Sequence, residues 1–322
     1  MVNKLRVLAT RALPAAVTDR LTQDYEAHLN PDDRLMSAQE IVSAAEGCFA
    51  IICTGSDRFD AALIERLPAS VKLVATFSVG YEHIDVAAAR SRAIQVSNTP
   101  DVLTDATAEI ALLCLLGAAR RAWEAQTLLR EDRWVGWTTT QLCGTQVSGK
   151  RLGILGMGRI GRAVAARARG FGMTIHYANR RRLAQDQEQG AVYHAQPEDM
   201  LPHCDFLSLN APSTPETHHF LNAERIALLP KGAIVVNTAR GSLVDDAALI
   251  EALTSGKVAA AGLDVFEGEP KIDARYRTLP NTFLLPHVGS ATVETRNAMG
   301  FACLNNLDAV AAGRSGPSIL TA

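Results

Sequence analysis

Short apolar runs alternate with longer amphipathic stretches from the beginning of the chain. Four of the apolar runs predict buried β-strands, at residues 6–10, 49–53, 73–77 and 94–96. Three amphipathic stretches between them predict helices, at residues 15–29, 38–46 and 59–67. Because strands that alternate with helices form parallel βαβ units, roughly the first hundred residues predict one small α/β domain.

A second series of strands follows a break before Pro100, since proline biases the preceding residue away from helix. Residues 104–121 predict a helix with a centre that is apolar on every side and must be buried all round, and 130–149 predict a loop. Six strands come next, at 152–155, 173–178, 206–209, 233–237, 259–264 and 282–285. Six strands are the complement of a doubly wound dinucleotide domain, and the last helix, 292–312, is expected to return to the first domain.

The first strand of this second series runs into a glycine cluster. Gly156, Gly158 and Gly161 have the G-x-G-x-x-G spacing, and a helical segment follows from Arg162. Gly156 permits a tight turn, Gly158 lets the backbone approach a pyrophosphate, and Gly161 lets helix and strand pack closely. The strand before the cluster and the helix after it predict a dinucleotide-binding site.

The next strand indicates which dinucleotide is bound. An NAD-binding domain of this type carries an acidic residue at the end of that strand, where it holds the ribose 2′-hydroxyl. Here the strand runs into Asn179, Arg180, Arg181 and Arg182. A solvated basic turn is one interpretation, but guanidinium groups pair with phosphate through charge-assisted hydrogen bonds. The position of the cluster therefore favours NADPH over NADH.

Three polar side chains follow other strands of the second domain. Arg240 lies in NTARG, Glu269 in EGEP and His287 in PHVGSAT. Each alone could be structural, as a surface charge, a turn residue or a neighbour of a helix cap. Together, at the sheet edge where α/β folds bind ligands, they suit hydride transfer to a ketone. Histidine would donate the proton, the carboxylate would favour the imidazolium, and arginine would bind the substrate carboxylate and polarise its carbonyl.

Composition narrows the class of protein. The chain has 322 residues, 48% of them hydrophobic and 20% charged, which is ordinary for about two globular domains of ~150 residues. A net charge of −2 provides no basic face for nucleic acid. The longest apolar run, 110–119, is too short for a membrane span of ~20 residues. With six cysteines, no C-x-x-C pair and no secretory signal core, we expect a cytoplasmic protein.

The histidines do not predict a metal centre. The eight histidines show no ligand-spaced cluster along the sequence. His218 and His219 are adjacent, and such neighbours are poorly placed to share one ion. We therefore expect no metal in the chemistry.

The ordered motifs GMGRIG, NTARG, GLDVFEGEP and PHVGSAT resemble those of the D-isomer-specific 2-hydroxyacid dehydrogenases. The resemblance covers nearly the whole chain, including SVGYEHID and RWVGW, and is strongest to the NADPH-dependent glyoxylate/hydroxypyruvate reductases. It implies two Rossmann-like or flavodoxin-like domains, each a doubly wound parallel sheet, with a cleft between them. Residues 1–99 and 288–322 would bind substrate, and 100–287 would bind the dinucleotide. A homodimer is implied, with the helix at 104–121 in its interface.

The resemblance also assigns roles to residues. It implies a catalytic trio of Arg240, Glu269 and His287. It implies that backbone N–H groups of Val79 and Gly80 bind the substrate carboxylate. Trp137 resembles a tryptophan that, in some relatives, reaches into the partner subunit's site, and a simply packed side chain is the alternative. Besides the glycine turn, Arg240 and His287, the implied cofactor contacts are Arg159, Ile160, Asn179, Arg180, Arg181, Thr238, Ala239, Asp264, Gly289 and Ser290.

Two alternatives remain at this point. One keeps the fold but changes the substrate to D-lactate, phosphite or phosphoglycerate. Phosphoglycerate dehydrogenases of the larger kind carry an additional C-terminal domain for which this chain is too short, and formate dehydrogenases have glutamine in place of Glu269. The other alternative is a non-catalytic, dinucleotide-sensing interaction protein, which would need partner-binding segments that the sequence does not suggest.

Overall fold

The computed structural model describes residues 4–321, which divide into two compact units. One unit runs continuously from Thr104 to Gly289. The other ends at Leu103 and resumes at Ser290. These limits lie a few residues after the expected boundaries at 99/100 and 287/288.

The unit that ends at Leu103 and resumes at Ser290 is called the flavodoxin-like unit below. Its part before Leu103 is a five-stranded parallel sheet with helices between its strands. Its strands are β1 Arg6–Ala9, β2 Glu26–His28, β3 Ala50–Cys53, β4 Leu73–Thr76 and β5 Gln95–Ser97. Its helices are α1 Ala15–Asp24, α2 Ala38–Ala44, α3 Ala61–Arg66 and α4 Val86–Ser91. The order β2-β1-β3-β4-β5 is that of flavodoxin-like folds. Burial of β3 and β4 on both faces agrees with their continuous apolar sequences.

The prediction of one helix over 15–29 was wrong at its C-terminal end. Helix α1 stops at Asp24, and Tyr25 adopts an extended backbone conformation. Residues Glu26 to His28 then pair with β1 as the edge strand β2. Two of its three residues are exposed, so β2 has no apolar run that would have indicated a strand.

The continuous unit contains a seven-stranded parallel sheet. Its strands are β6 Arg151–Leu155, β7 Thr174–Ala178, β8 Val192–His194, β9 Phe206–Leu209, β10 Ala233–Asn237, β11 Val258–Leu263 and β12 Thr282–Leu284. The order β12-β11-β10-β9-β6-β7-β8 is the dinucleotide-binding order with one additional strand. Six strands were predicted, and β8 was missed because it is a three-residue edge strand with no buried position. The order reverses between β6 and β9, and open α/β sheets bind ligands at such a point.

Helices cover both faces of this sheet. They are α5 Thr104–Ala119, α6 Ala122–Arg130, α7 Arg159–Arg169, α8 Gln185–Glu188, α9 Pro197–Met200, α10 Ala223–Leu228 and α11 Asp246–Ser255. Short 3₁₀ helices occur at Leu201–His203, Gly241–Leu243 and Ala274–Thr278. Alternate residues of β10 join two separate apolar cores, with Val235 in one and Ile234 and Val236 in the other. The sheet is therefore buried on both sides, as a parallel sheet requires.

Helix α5 matches its predicted position, and one of its apolar side chains is open to solvent within the single chain. Cys114 and Leu115 are buried, whereas Leu113 is 45% exposed within the chain. Burial all round, expected from contact with another domain or subunit, therefore stays a prediction. The short helix α6 follows directly and was not predicted, although the segment from 131 to 149 has no helix or strand, as expected for a loop.

The last helix, α12 Val293–Ala311, belongs to the flavodoxin-like unit and packs against α1 and β4. Thr292 caps its N-terminus by accepting a hydrogen bond from the backbone N–H of Thr295. Among residues 4–321, no helix has both the length and the apolar character needed to cross a membrane.

Candidate active site

The glycine cluster forms the turn between β6 and α7. Gly156 has a φ of +88°, a conformation that side chains rarely adopt, and a Cβ there would lie 2.6 Å from the backbone nitrogen of Ala211. A Cβ on Gly161 would lie 2.5 Å from the carbonyl oxygen of Gly156. A Cβ on Gly158, by contrast, would meet no atom within 4 Å. Strand and helix thus pack closely, while the surface of the turn at Gly158 stays open to a ligand.

Asn179 stabilises this turn from the neighbouring strand. Its Oδ1 accepts a hydrogen bond of 2.7 Å from the backbone N–H of Met157. The sequence predicted a cofactor contact for Asn179, and the structure adds this supporting role beside the turn. Arg159 and Ile160, also predicted to contact the cofactor, are the first residues of α7. The N-terminus of a helix favours an anionic ligand, because its dipole is positive there and its first N–H groups have no partner within the helix.

The arginines after β7 have different partners. Arg182 forms an ion pair of 2.7 Å with Glu188, which also accepts a hydrogen bond from Tyr177. The hydrogen bonds from Arg182 and then Tyr177 lower the pKa of the Glu188 carboxyl to about 2. Arg180 and Arg181 are exposed and form no hydrogen bond or ion pair within the described residues. Their guanidinium groups are therefore available to an anion.

The turn after β10 carries Arg240 and is folded by Asn237. The Asn237 side chain accepts from the N–H of Ala239 at 3.0 Å and donates to the carbonyl oxygen of Arg240 at 2.8 Å. Arg240 donates to the carbonyl oxygen of Ala239, and its charge acts on the Glu269 carboxyl. Asn237 was not predicted as a site residue, although an asparagine at a strand end is a known signal for such a turn.

Glu269 and His287 form a hydrogen bond. The distance from His287 Nδ1 to Glu269 Oε2 is 2.7 Å, and Glu269 Oε1 accepts from the N–H of Phe266 at 2.7 Å. Burial raises the pKa of the Glu269 carboxyl, but the hydrogen bonds from His287 and Phe266 and the charges of His287 and Arg240 outweigh it. The net pKa lies below the ordinary value, so Glu269 is a carboxylate at neutral pH. Nδ1 must then be the donor, which leaves Nε2 for another partner.

Asp264 determines the position of His287. Its side chain is buried, and its two oxygens each accept a backbone N–H at 2.8 Å, from Val288 and from Gly289. His287, with a φ of +55°, donates its own N–H to the Asp264 carbonyl oxygen. Burial raises the pKa of the Asp264 carboxyl despite these hydrogen bonds. Asp264 was predicted to contact the nicotinamide, and the structure gives it this role in the turn.

The loop that carries Glu269 packs on the turn that carries Arg240. A Cβ on Gly241 would lie 1.8 Å from the carbonyl carbon of Phe266 and 2.2 Å from the nitrogen of Glu267. Only glycine allows this approach without a backbone shift. The three predicted catalytic residues therefore lie on turns that are fixed to one another by backbone contact and by the Glu269–His287 hydrogen bond.

Two orphaned polar atoms show where a bound dinucleotide fits. Thr238 Oγ1 and Asn210 Oδ1 are buried and have no hydrogen-bond partner in the part of the chain that the structure describes. They follow β10 and β9, beside the reversal in strand order. Because buried polar atoms are normally paired, a polar ligand at this edge would satisfy them. Together with the open surface at Gly158, they fit a dinucleotide.

Val79 and Gly80 lie in the flavodoxin-like unit, after β4. The Val79 carbonyl oxygen accepts from the side chain of Asn98 at 2.8 Å, and the Gly80 carbonyl oxygen accepts from Ser78 at 2.6 Å. Neither backbone N–H donates a hydrogen bond within residues 4–321. Both carbonyls are thus engaged, and both N–H groups are free for an anion.

Trp137 lies far from the trio along the chain, and Ser290, three residues after His287, belongs to the other unit. Trp137 is 79% exposed, in the segment without regular structure after α6. Ser290 is the first residue of the second segment of the flavodoxin-like unit. The structure thus brings together the trio, Ala239 and Gly289 in one unit, and it leaves the roles of Trp137 and Ser290 as predictions.

The geometry agrees with a match to a known family. The D-isomer specific 2-hydroxyacid dehydrogenase family, through its NAD-binding domain, matches residues 112–289. The chain belongs to this family. It is therefore an enzyme, a 2-hydroxyacid dehydrogenase, and the alternative of a non-catalytic protein is not retained.

Several relatives of this dehydrogenase match over nearly their whole length. A glycerate dehydrogenase of Hyphomicrobium methylovorum is 42% identical, over 97% of this chain and 98% of its own. A glyoxylate reductase of Thermococcus litoralis is 40% identical, over 98% of this chain and 97% of its own. The structure of an NADPH-dependent glyoxylate/hydroxypyruvate reductase of Sinorhizobium meliloti, in complex with NADP and malonate, has a TM-score of 0.89 and 35% identity, over 98% and 97%.

The close approach at Gly241 yields a stability prediction. Gly241→Ala should lower the free energy of unfolding by about 1–3 kcal/mol, because the new methyl group forces the Phe266–Glu267 peptide away. Urea titration followed by circular dichroism measures this loss. Gly55→Ala is the control, since a Cβ at Gly55 would meet no atom within 4 Å. Equal midpoints for the two variants would contradict the contact.

Proposed function

We propose that this dehydrogenase reduces small 2-keto acids, glyoxylate and hydroxypyruvate, to D-2-hydroxy acids with NADPH. The observation that carries the proposal is the 2.7 Å hydrogen bond between the ionised Glu269 and His287, with Arg240 beside it. In this proposal the unit Thr104–Gly289 holds the dinucleotide, and the unit that contains Val79 binds substrate.

His287 acts as the proton donor in this proposal. Its Nδ1–H is bound by Glu269, so Nε2 carries the proton that the substrate carbonyl oxygen receives. The negative charge of Glu269 favours the imidazolium and fixes the ring orientation. A bound nicotinamide supplies the hydride, and Asp264 keeps His287 in position throughout by holding the two following N–H groups.

Arg240 and the loop after β4 recognise the acid. The guanidinium of Arg240 binds the substrate carboxylate and polarises the carbonyl, which stabilises charge as it develops on oxygen. The free N–H groups of Val79 and Gly80 are proposed to donate to a carboxylate of the substrate. The names of the relatives support a small substrate, since glyoxylate reductases match this chain over nearly its full length.

A substrate panel tests the function. NADPH oxidation, followed by absorbance, should give the highest kcat/KM with glyoxylate or hydroxypyruvate, ahead of pyruvate and phosphohydroxypyruvate. His287→Asn is the control, and it should lose about 10²–10⁴-fold in rate because it lacks the proton donor. A higher kcat/KM for pyruvate or for a phosphorylated keto acid would contradict the proposed substrates.

The preference for NADPH rests on the basic turn after β7. Arg180 and Arg181 have no partner within the described residues, and no carboxylate follows the strand in the sequence. The pKa of the Glu216 carboxyl is lowered mainly by a hydrogen bond from the Thr214 hydroxyl and to a smaller extent by the charge of Arg180. Arg180 therefore lies within electrostatic range of the segment after β9. That position is beside the reversal in strand order, where a ribose 2′-phosphate is expected.

Substitution of both arginines tests the preference. Arg180→Ala with Arg181→Ala should raise KM for NADPH by at least roughly ten- to a hundred-fold and leave KM for NADH nearly unchanged, since the loss of even one charge-assisted hydrogen bond costs about 1.5–3 kcal/mol. Arg182→Ala is the matched control, because its guanidinium is bound to Glu188. If the double variant affects both cofactors equally, the NADPH assignment fails.

The Glu269–His287 pair predicts the pH dependence. Reduction needs the imidazolium, so its rate should fall as pH rises and that proton is lost. Glu269 stays ionised at neutral pH because its pKa is lowered, and it accepts the Nδ1–H of His287. Glu269→Gln removes this charge and should move the descending limb of kcat/KM to lower pH. A limb at the same pH in the variant would show that the pair does not control protonation.

We also propose a homodimer in which α5 and α6 face the partner. Exposed apolar side chains support this, because Leu113, Trp123 and Leu129 lie on these helices and Trp134 and Trp137 follow them. Light scattering should give the wild-type protein twice the mass of one chain. Leu113→Glu should shift the mass toward that of a single chain. Leu35→Glu, at an exposed leucine before α2, is the control. An unchanged mass for Leu113→Glu would exclude α5 from the interface.

A cytoplasmic location completes the proposal. All six cysteines are free thiols, and five of them are buried. Free buried thiols are typical of proteins from a reducing compartment. Fractionation of cells with an antibody against the chain would test the location, and recovery in a membrane or secreted fraction would contradict it.

A further inference from the structure

Two histidines and a glutamate converge outside the catalytic trio. His219 Nε2 lies 2.9 Å from Glu267 Oε2, and His218 Nε2 lies 3.6 Å from Glu267 Oε1. One ligand atom from each of the three side chains lies within 4.8 Å of the others. The imidazole rings of the two histidines stack, with centroids 4.0 Å apart. The expectation that these neighbours are poorly placed to share one ion was therefore wrong.

The backbone explains why adjacent side chains reach the same place. His219 has a φ of +47°, in the left-handed region, so its side chain does not alternate with that of His218 as in an extended chain. The N–H of His218 donates to the Thr214 carbonyl oxygen, and the N–H of His219 donates to the Ser242 carbonyl oxygen at 2.7 Å. The pair is thus held in a hydrogen-bonded turn.

The backbone of Glu267 is also fixed in position. Its backbone nitrogen is part of the peptide that packs on Gly241, where no side chain fits. Glu269, two residues later, is bound to His287, so the two carboxylates of this loop have different partners. Glu267 therefore lies in the same loop as Glu269, and the cluster uses none of the side chains of the trio.

We propose that His218, His219 and Glu267 bind one divalent ion of the zinc class. Two imidazole nitrogens and one carboxylate form a donor set that suits such ions better than magnesium or calcium, which prefer oxygen ligands alone. Ligand atoms around a tetrahedral zinc ion lie about 3.3 Å apart, given bonds of about 2.0–2.1 Å. His219 Nε2 lies 2.9 Å from Glu267 Oε2 and His218 Nε2 lies 3.6 Å from Glu267 Oε1, so each imidazole is close to that separation from one oxygen of the same carboxylate.

Exposure allows the remaining coordination position to be filled by water. The side chains of His218, His219 and Glu267 are each partly open to solvent. An ion can thus reach them from solution, with one position left for a solvent ligand. The ion would fix Glu267 and, through the short loop, the peptide at Phe266 that donates to Glu269. This inference does not depend on the substrate or on the choice of dinucleotide.

A second histidine cluster in the same unit provides a control. His176 and His194 form a hydrogen bond of 3.0 Å, and His203 stacks on His176 with ring centroids 5.2 Å apart. Burial, and then the charges of His194 and His203, lower the pKa of His176 to about 4. No carboxylate joins these three imidazoles in a ligand set within the described residues. Zinc binding by this cluster would survive loss of His218, so the two clusters can be distinguished.

Isothermal titration calorimetry with zinc chloride on the full-length, cofactor-free enzyme tests the proposal. We expect one zinc ion per chain, and His218→Ala should weaken its affinity by more than roughly ten-fold, since even outer partners of metal ligands contribute that much. Glu267→Gln should weaken it to a similar extent. His203→Ala is the matched control and should bind zinc as the wild-type enzyme does.

Circular dichroism of each variant shows whether it is folded, and His218 is exposed enough that its replacement leaves the core intact. The proposal is overturned if the wild-type enzyme takes up no zinc, or if folded His218→Ala binds zinc with unchanged affinity. Loss of zinc binding in His203→Ala alone would assign the ion to the other cluster and would equally overturn it. Because the measurement is binding rather than turnover, it does not depend on the proposed reaction.

Discussion

The common direction of the strands in the seven-stranded sheet is the constraint on which the site depends. Parallel strands place their carboxyl ends along one edge, so the turns after β10, β11 and β12 meet there. Arg240, Glu269 and His287 follow these three strands. A residue without a side chain, Gly241, then lets two of the turns touch through their backbones. The charged groups are thus assembled by backbone geometry before any ligand binds.

Buried polar side chains fix the conformation of the turns that carry the catalytic candidates. Asn237 satisfies an N–H and a carbonyl oxygen in the Arg240 turn, and Asp264 accepts two N–H groups after His287. Burial raises the pKa of Asp264, whereas hydrogen bonds and neighbouring positive charges lower that of Glu269. Two carboxyl groups of one site therefore differ, because burial outweighs the backbone hydrogen bonds of Asp264, whereas the hydrogen bonds and charges around Glu269 outweigh its burial.

Neighbouring residues of like chemistry have separate tasks in this chain. Of the arginines after β7, Arg182 stabilises the fold through Glu188, and Arg180 and Arg181 remain available to an anion. Glu267 and Glu269 divide in a similar way, since they contact different histidines. In both places the direction of a side chain, which a one-dimensional pattern does not contain, distinguishes support from recognition.

The sequence by itself determined the parallel α/β fold, the glycine turn and the catalytic candidates, because apolar periodicity and strand-end motifs are local signals. It missed the edge strands β2 and β8, which lack apolar runs. Only the tertiary structure decided that Asp264 holds His287 and that adjacent histidines face one carboxylate. These facts depend on contacts between distant residues and on a positive φ, and neither can be read from spacing along the chain.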